Sequence, residues 1–365
     1  MRYILAGDLG GTNPRLAMVD EHGQVVFKQQ LPNDAASLVP LINDFLRLAA
    51  EHGYTTDTCC LGVAGPVQNN SCTLLANARY AVEDAAIRHG TLLRNILVIN
   101  DFAALGAAIA SLPTDSPSLV RLPGNGHPDP AGNRAVIGAG TGLGLAYLIR
   151  QQHGFLVSAS EGGHASAPAL QECADFTEWL RRELGVEFLD SEELISGKGI
   201  RHAARYYLLH PHALRQLVEH AHVYHHEKAL LDKHSNYVQE EEQQLLRDLG
   251  AEAAGDQSVD GAQKIAALAD RSAACRIALR LFARHLGIAA QDAALHGLAR
   301  GGVFVAGGIA AKQQDLLLRG DFAHSFYTHS VPAMRALLAQ IPVYLVADYD
   351  TSFTGCFVAA RAAFP

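Results

Sequence analysis

The chain has 365 residues, enough for two compact domains rather than one. Its hydrophobic fraction of 49% and charged fraction of 18% are ordinary for a globular protein, and no apolar run approaches the length of a membrane span. The net charge is −8 and the basic residues are scattered, which argues against a nucleic-acid-binding surface. We therefore expect a globular protein with no membrane partner and no nucleic-acid partner.

The N-terminus and the cysteines indicate where the protein works. An acid and glycines arrive where the apolar part of a signal peptide would continue, so the first residues are interpreted as a strand that enters a turn. The six cysteines form no C-x-x-C pair; reduced, buried thiols are the simplest interpretation, and a structural zinc site is not expected. These features predict a cytoplasmic protein.

One device occurs twice: an apolar strand, a glycine-rich turn and a second apolar strand. It spans residues 3–20, YILAGDLGGTNPRLAMVD, and residues 135–149, AVIGAGTGLGLAYLI. This pattern is typical of a β-hairpin with a tip that is mostly backbone. Glycines lack Cβ, so their N–H groups can approach a ligand closely and point at it together. The tip residues are Gly10, Gly11, Thr12, Asn13, Gly140, Thr141 and Gly142.

Two such tips facing each other would form a clamp for a polyphosphate. Only the first carries an acid, Asp8, and a lone carboxylate beside phosphates is most useful as a magnesium ligand, directly or through water. One glycine cluster alone is more often an ordinary tight hairpin. Two matched clusters with side-chain donors at both tips favour the phosphate interpretation.

Two better-known glycine motifs are absent. A dinucleotide fingerprint needs G-x-G-x-x-G between a strand and a helix, whereas residues 138–144 place a glycine at every second position and continue as a strand. A P-loop needs G-x-x-x-x-G-K-[ST]. The only Gly-Lys pair, Gly197-Lys198, is followed by glycine and has Glu192 where the first glycine belongs.

Between the hairpins, strands and helices alternate as in an α/β fold. Residues 35–52 have helical spacing, while TCCLGVAGPV and residues 72–75 are predicted strands. Residues 92–101, LLRNILVIND, form a continuous apolar strand that leads into the helix FAALGAAIASL. The Pro-, Gly- and Asn-rich stretch 113–133 predicts a connection between domains.

The second half is largely helical. Helices are predicted over 170–185 and 191–209, and residues 211–298 are almost wholly helical with a loop near 255–260. The segment RGGVFVAGGIAAK then predicts a strand, a turn at Gly307-Gly308 and the start of a helix. IPVYLVAD predicts a strand, and TSFTGCFVAARAAF a final helix that packs back on the first domain.

Asn100 and Asp101 lie where an apolar strand is followed by a helix. Asn and Asp are favoured N-caps, so one of the pair is expected to cap that helix. Ligands of α/β folds lie at the carboxyl ends of parallel strands, so Asp101 is also a candidate base for a hydroxyl that attacks a phosphate. Position alone leaves both interpretations open.

Two more acids and a histidine follow the second hairpin. Glu161 and His164 share a glycine turn, which alone could be an ordinary polar turn. Glu192 begins a helical segment, where an acid complements the helix dipole. Together with Asn100 and Asp101 these residues offer donors and acceptors suited to a ligand made of hydroxyl groups.

Eight histidines lie between residues 202 and 234. His222 and His226 are spaced to share a helix face, so a metal site is conceivable. Position 230 is leucine, however, so the H-E-x-x-H motif is not completed. A solvated helical face is the favoured interpretation.

The combined motifs resemble the bacterial-type glucokinases, in the superfamily of sugar kinases, heat-shock ATPases and actin. GDLGGTN and GAGTGLG are similar to the family's two phosphate motifs, VFVAGGI to its adenosine-binding segment, and LVINDF to the segment with the catalytic aspartate. EGGH and EELISG are similar to its sugar-binding segments. The likeness covers nearly the whole chain, although the His-rich stretch 205–260 is longer than in typical members and the last helix is less Gly-rich.

The resemblance implies an α/β, two-domain, actin-like ATPase fold of the ribonuclease H type. A cleft would separate a small α/β domain, 1–112 plus 342–365, from a larger α/β domain, 113–341, with a helical, His-rich insertion near 205–260. The implied reaction is ATP-dependent phosphorylation of a hexose at the 6-hydroxyl, first of all glucose, by a cytoplasmic homodimer.

The resemblance also implies residue roles. Asp101 would be the general base, and MgATP would lie on the glycine tips with Mg²⁺ near Asp8. Gly307 and Gly308 would contact the nucleotide. Hydroxyl contacts of the sugar would fall to Asn100, Asp101, Glu161, His164 and Glu192.

A sugar-sensing regulator and a conformational ATPase of the same superfamily are the alternatives. Asp8 and Asp101 favour the enzyme; the phosphate hairpin begins at the third residue, so no DNA-binding segment is expected, which disfavours the regulator. The sugar-binding residues disfavour the ATPase. The sequence does not rank glucose, mannose, fructose and glucosamine, which differ by single hydroxyl placements, nor does it exclude a donor such as polyphosphate.

Overall fold

The protein is described by a computed structural model covering residues 2–10, 14–32, 35–75, 80–232, 236–254, 260–348 and 350–365. Within these ranges the chain forms two mixed β-sheets with helices packed on them. No helix in the described part of the chain combines the length and apolar character needed to cross a membrane.

The first sheet contains the first predicted hairpin. Its strands are β1 (Tyr3–Leu9), β2 (Arg15–Asp20), β3 (Val25–Gln30), β4 (Thr58–Val63) and β7 (Asn95–Asn100), in the order β3-β2-β1-β4-β7. β1 and β2 are antiparallel, as expected of a hairpin, whereas β1, β4 and β7 are parallel. A separate two-stranded ribbon consists of β5 (Ser71–Cys72) and β6 (Val82–Glu83).

Each face of the first sheet is covered by an apolar cluster. Because side chains of a strand alternate between faces, neighbouring residues of one strand belong to different clusters. Cys59 contributes to the apolar cluster on one face and Cys60 to the cluster on the other. The first face is covered by helix α1 (Leu38–Glu51), whose buried residues Ile42 and Phe45 lie on one helix face, and by α2 (Asp84–Gly90). All six cysteines are free and buried.

The second sheet contains the second predicted hairpin. Its strands are β8 (Leu119–Arg121), β9 (Arg134–Ala139), β10 (Leu143–Arg150), β11 (Phe155–Ser160), β12 (Gly302–Ala306) and β13 (Val343–Val346), in the order β11-β10-β9-β12-β13-β8. Ala139 pairs with Leu143 across antiparallel strands, so residues 140–142 form the tip of this hairpin, as predicted.

Two expectations about the sheets need correction. The stretch 113–133 is not only a connection, because β8 within it pairs with β13. The strand β13 pairs in parallel with β12, so it belongs to the second sheet and a domain boundary at residue 342 would divide that sheet. β13 lies between β12 and β8, and all four of its residues are buried, as is usual for an interior strand of a sheet that is covered on both faces.

The helices of the second half follow the predicted layout. Four short 3₁₀ segments precede or separate these helices in the described part of the chain: Gly162–His164, Gln171–Cys173, Ser191–Glu193 and His222–Glu227. They are α4 (Ala174–Leu184), α5 (Gly197–Leu209), α6 (Pro211–His220), α7 (Lys228–Asp232), α8 (Asn236–Ala253), α9 (Gly261–Leu268), α10 (Ala273–His296), α11 (Gly308–Lys312), α12 (Gln314–Leu318), α13 (Asp321–Tyr327) and α14 (Pro332–Leu338). Most of the loop predicted near 255–260 lies outside the described residues.

The helical region is joined to α10 by buried ion pairs. Arg280 of α10 contacts Glu227 at 2.6 Å and Asp321 at 2.8 Å, with its side chain 14% exposed. Arg284, one turn later, pairs with Glu172 and donates to the Tyr224 hydroxyl. A buried charge needs such partners, because removal from water is costly.

The histidine pair of the sequence analysis does not lie on an α-helix. His222 and His226 fall in the 3₁₀ segment, where residues three apart share a face, so the four-residue spacing no longer aligns them. Their side chains lie outside what the structure describes. Among the described residues, no group of three or more His, Cys, Asp or Glu side chains is placed to hold a metal ion.

Two helices pack on the other face of the first sheet: α3 (Asp101–Ser111) and the final helix α15 (Thr351–Ala363). α15 covers β1 and β4, as predicted for a C-terminal helix that returns to the first sheet. α3 packs against α15 on one side, and its Ile109 joins the apolar cluster of the second sheet on the other. The helix that begins at Asp101 therefore contacts both sheets.

We expect the contact between α3 and α15 to depend on a glycine. A Cβ at Gly355 would overlap the carbonyl oxygen of Ala104, so Gly355→Ala should force the helices apart and destabilise the protein by about 1–3 kcal/mol. Gly250→Ala is the matched control: Gly250 is exposed on α8 with nothing near its Cβ position, so this change should stabilise by about 1 kcal/mol. Denaturant unfolding measures both, and equal effects would contradict the packing argument.

Candidate active site

Asn100 and Asp101 have separate roles at the start of α3. Asn100 is the N-cap: its Oδ1 accepts hydrogen bonds from the N–H groups of Phe102 at 2.9 Å and Ala103 at 3.2 Å. Asp101 is the first helical residue, and its Oδ1 accepts from the Phe102 N–H at 2.9 Å. The capping interpretation therefore belongs to Asn100, and Asp101 is not needed for it.

The carboxylates of Asp8 and Asp101 converge above Gly10. A Cβ built on Gly10 would lie 3.4 Å from Asp101 Oδ2 and 3.5 Å from Asp8 Oδ1. Parallel pairing explains the approach, because Asp8 is near the end of β1 and Asp101 directly follows β7, two strands away in the same sheet. The glycine leaves this position open to a ligand.

Burial of the carboxyl group and then the nearby charge of Asp8 raise the pKa of Asp101 to about 7. The backbone N–H of Phe102 opposes the shift, and Glu161 adds a smaller increase. A carboxylate with a pKa near neutrality can accept a proton and release it again. Asp101 therefore has the protonation chemistry of a general base.

One oxygen of Asp8 is held from two sides. Arg15 donates to Asp8 Oδ2 at 2.5 Å and Ser352 Oγ donates to the same oxygen at 3.0 Å. Arg15 also contacts Asp350 at 2.9 Å. The other oxygen, Oδ1, faces Gly10. The free oxygen of Asp8 beside an open backbone suits a hard divalent cation that takes its remaining oxygens from phosphates and water, so Asp8 fits Mg²⁺.

The two hairpin tips are described to different extents. Gly11, Thr12 and Asn13 lie outside the described residues. In the second tip, the Gly140 N–H donates to the Gly142 carbonyl at 2.8 Å, and the exposed residue Thr141 lies between them. Helix α5 contacts this tip, because the Gly197 N–H donates to the Gly140 carbonyl at 3.1 Å.

The predicted nucleotide segment lies beside the second tip. Gly307 follows β12 with φ of 95°, and Gly308 begins α11. A Cβ at Gly307 would overlap the carbonyl oxygen of Ala139, the last residue of β9 before the tip. Gly307 is thus required both by its left-handed φ and by its close approach to β9.

Two of the predicted sugar residues, Glu161 and His164, lie at the start and the end of one short turn. Glu161 is exposed at the start of the Gly162–His164 segment, close enough to Asp101 to raise its pKa. His164 Nδ1 is 3.0 Å from Asp190 Oδ2. This hydrogen bond raises the pKa of His164, and nearby Glu192 and Glu161 add to the rise.

Glu192 lies against the second hairpin. Its Oε2 accepts the Leu143 N–H at 3.2 Å, and its Oε1 accepts from Lys198 Nζ at 2.9 Å. The residue lies in a 3₁₀ segment that Asp190 caps through the Glu193 N–H, rather than at the start of an α-helix. It therefore connects the predicted sugar residues with the predicted phosphate tip.

Sequence reasoning missed four residues that hold these groups in place: Arg15, Asp190, Lys198 and Ser352. Arg15 could have been found, because it lies directly opposite Asp8 in the hairpin register. Asp190 and Ser352 reach their partners across 26 and 344 residues of sequence, and no local pattern signals such contacts.

Two sheets of this topology with glycine hairpins around an aspartate pair define the actin-like ATPase fold of the sugar kinases. The crystal structure of glucokinase from an Antarctic psychrotroph superposes with a TM-score of 0.71 at 27% identity, covering 99% of both chains. A ROK family glucokinase from Streptomyces griseus in complex with glucose and AMPPNP has a TM-score of 0.60 at 19% identity, with 99% of both chains covered, which shows the fold alone.

The sequence comparisons define the family. The family model named Glucokinase matches residues 5–363. A glucokinase of Synechocystis sp. is 30% identical over 98% of this chain and 97% of its own length. The chain belongs to the glucokinase family.

Asp190→Asn should lower the pKa of His164 towards its ordinary value, because the amide keeps the 3₁₀ cap but loses the charge. The His164 ring signal in an NMR titration measures this, assigned with a His164→Gln sample. A raised histidine pKa stabilises the fold below the ordinary pKa of about 6.5, and the effect disappears as the pH rises through the folded value.

The melting temperature of Asp190→Asn should therefore fall more at pH 6 than at pH 8. Asp129→Asn, which removes an ion pair with Arg300, is the control and should leave the His164 titration unchanged. An unaltered His164 pKa in Asp190→Asn would show that the contact does not exist in solution.

Proposed function

We propose that this protein transfers the γ-phosphoryl group of ATP to the 6-hydroxyl of a hexose, with glucose as the first substrate to test. The observation that carries the proposal is the position of the Asp101 carboxylate beside Asp8 and Gly10. Asn100 caps the helix, so Asp101 is not needed as the cap, and its pKa is about 7. The family membership and the glucose and AMPPNP in the Streptomyces griseus neighbour support it.

In this proposal the sugar lies in a cleft between the start of α3 and the two 3₁₀ turns that carry Glu161, His164 and Glu192. Asn100, Glu161, His164 and Glu192 bond its hydroxyl groups. A site built to bond each hydroxyl rejects sugars that leave its polar groups unpaired. The 6-hydroxyl faces Asp101 Oδ2, since Oδ1 is occupied by the Phe102 N–H.

The chemical step is one displacement at phosphorus. The 6-oxygen forms a bond to the γ-phosphorus, the bond from that phosphorus to the bridging oxygen breaks, and ADP leaves. Asp101 Oδ2 accepts the hydroxyl proton. Asp8, with Asp101 beside it, would hold Mg²⁺, which neutralises charge on the phosphates when bound. The backbone N–H groups of both hairpin tips, with Gly307 and Gly308, would hold the nucleotide.

The remaining parts of the proposal concern organisation. We place the cleft between a small domain, with the first sheet and α15, and a large domain that includes β13. The six buried, free thiols support a reducing, cytoplasmic compartment. A homodimer is part of the proposal, and light scattering after gel filtration tests it.

A coupled assay with ATP and magnesium over glucose, mannose, fructose and glucosamine tests the activity. No turnover of any hexose would reject the proposed activity.

Asp101→Asn should lower kcat by about 10²–10⁴-fold, because an amide cannot accept the hydroxyl proton. The KM for ATP should change little. The charged form of a carboxylate with a raised pKa opposes folding, so at pH 8 the variant should melt at or above the parent's temperature. Steady-state kinetics and calorimetry measure these effects.

Asp84→Asn is the matched control for that experiment. Asp84 holds the same first helical position in α2, outside the proposed site, and its loss should leave kcat unchanged. A kcat of Asp101→Asn within a few-fold of the parent would rule out the general base.

The pH dependence follows from the same carboxyl group. Asp101 must be ionised to act as a base, so kcat/KM for the hexose should fall below about pH 7, tenfold for each pH unit at the acid limit. The profile of kcat/KM reports the free enzyme, the state that the structure describes. A flat profile down to pH 5 would contradict this assignment.

A further inference from the structure

The turn at residues 190–193 carries three carboxylates, each paired with a different basic side chain. Asp190 contacts His164 at 3.0 Å, Glu192 contacts Lys198 at 2.9 Å and Glu193 contacts His202 at 3.4 Å. Lysine stays charged across the physiological range, whereas histidine does not. Lys198 is therefore the basic partner in this group that stays charged. The carboxylate that it contacts, Glu192, belongs to the proposed sugar site.

The backbone of Lys198 is fixed between the acidic turn and the second hairpin. Ser196, which is fully buried, accepts from the Lys198 N–H at 3.2 Å and donates to the Glu192 carbonyl at 2.7 Å. The neighbouring Gly197 N–H donates to the Gly140 carbonyl. The lysine side chain therefore starts from a defined point beside the hairpin tip.

The two oxygens of Glu192 are divided between two partners. Lys198 takes Oε1, and the Leu143 N–H of the hairpin takes Oε2. The Glu192 side chain is only 16% exposed, whereas that of Lys198 is 41% exposed. A carboxylate withdrawn this far from water is stabilised by partners that satisfy both of its oxygens, and these contacts fix its orientation.

We propose that Lys198 is a positioning residue of the sugar site. It holds the Glu192 carboxylate in one orientation, so that this carboxylate serves both the hexose hydroxyls and the tip of the second hairpin. The inference rests on the proposed function, because it takes Glu192 as a sugar contact. It also gives a role to the Gly197-Lys198 pair. This pair is not part of a P-loop, but the Gly197 N–H contacts the predicted phosphate-binding tip at Gly140.

The test compares Lys198→Met, which keeps the aliphatic stem, with Lys198→Arg, which keeps the charge. The control is Lys264→Met: Lys264 pairs with Asp248 at 2.6 Å, its side chain is 47% exposed, and it lies in the helical region away from the proposed site. For each protein we would measure kcat, the KM values for glucose and ATP, glucose affinity by calorimetry, and melting temperature.

Lys198→Met should weaken glucose binding about tenfold, as expected when a charge-assisted contact is lost, with the KM for ATP and kcat within about twofold. Lys198→Arg should recover most of the affinity, and Lys264→Met should behave like the parent. In a Glu192→Gln background, Lys198→Met should have no further effect, because the partner charge is already gone.

An unchanged glucose affinity in Lys198→Met would overturn the proposal. So would a raised KM for ATP with glucose binding intact, which would assign Lys198 to the phosphates. If Lys198→Met fails to fold, the glucose affinity of the double variant Lys198→Gln/Glu192→Gln is compared with that of Glu192→Gln alone. A weaker affinity of the double variant would contradict the proposal. A parent that binds glucose without phosphorylating it rejects the proposed function only, and a parent that binds no hexose rejects both.

Discussion

The site depends on bringing two like charges together and keeping them there. Asp8 and Asp101 meet because parallel pairing aligns the carboxyl ends of β1, β4 and β7 at one edge of the first sheet. Burial and then the nearby charge of Asp8 raise the pKa of Asp101 to about 7. Asp8, in contrast, accepts hydrogen bonds from Arg15 and Ser352. The difference between the two acids is a difference of surroundings.

The same aspartate is placed by the packing between the sheets. α3 begins at Asp101 and contacts α15 and the first sheet on one side and the second sheet on the other. The close approach at Gly355 sets the distance between α3 and α15. The packing of α3 on both sheets therefore places Asp101 relative to the second sheet as well as the first.

The parts predictable from sequence are those with a local physical signature. The two hairpins were predicted from the spacing of their glycines, and a helix cap at Asn100 or Asp101 was predicted from the junction of a strand and a helix. At hairpin tips and helix caps the backbone conformation restricts the residue type. β8 was not predicted because three residues among prolines and glycines have no periodicity. The strand β13 was predicted, but its pairing with β12 was not, because partner choice is not local.

Side-chain partners were the least accessible from sequence. The pairs Asp190–His164 and Lys198–Glu192 depend on a 3₁₀ turn whose geometry brings consecutive acids to different basic groups. His222 and His226 show the converse error: a spacing that suits an α-helix has no such meaning in a 3₁₀ segment. The roles of Glu161, His164 and Glu192 towards a sugar remain predictions; the structure places Glu161 near Asp101, Glu192 against the second hairpin and His164 beside Asp190.

The position of α15 has a consequence for the synthesis of the chain. β1 is synthesised before α15, the helix at residues 351–363 that covers one of its faces. Until α15 has been made, Ile4, Ala6 and Cys60 lack its cover, and an apolar sheet face left open is prone to aggregate. All strands of the second sheet precede α15 in the sequence, so this face of the first sheet is completed only after both sheets have been synthesised.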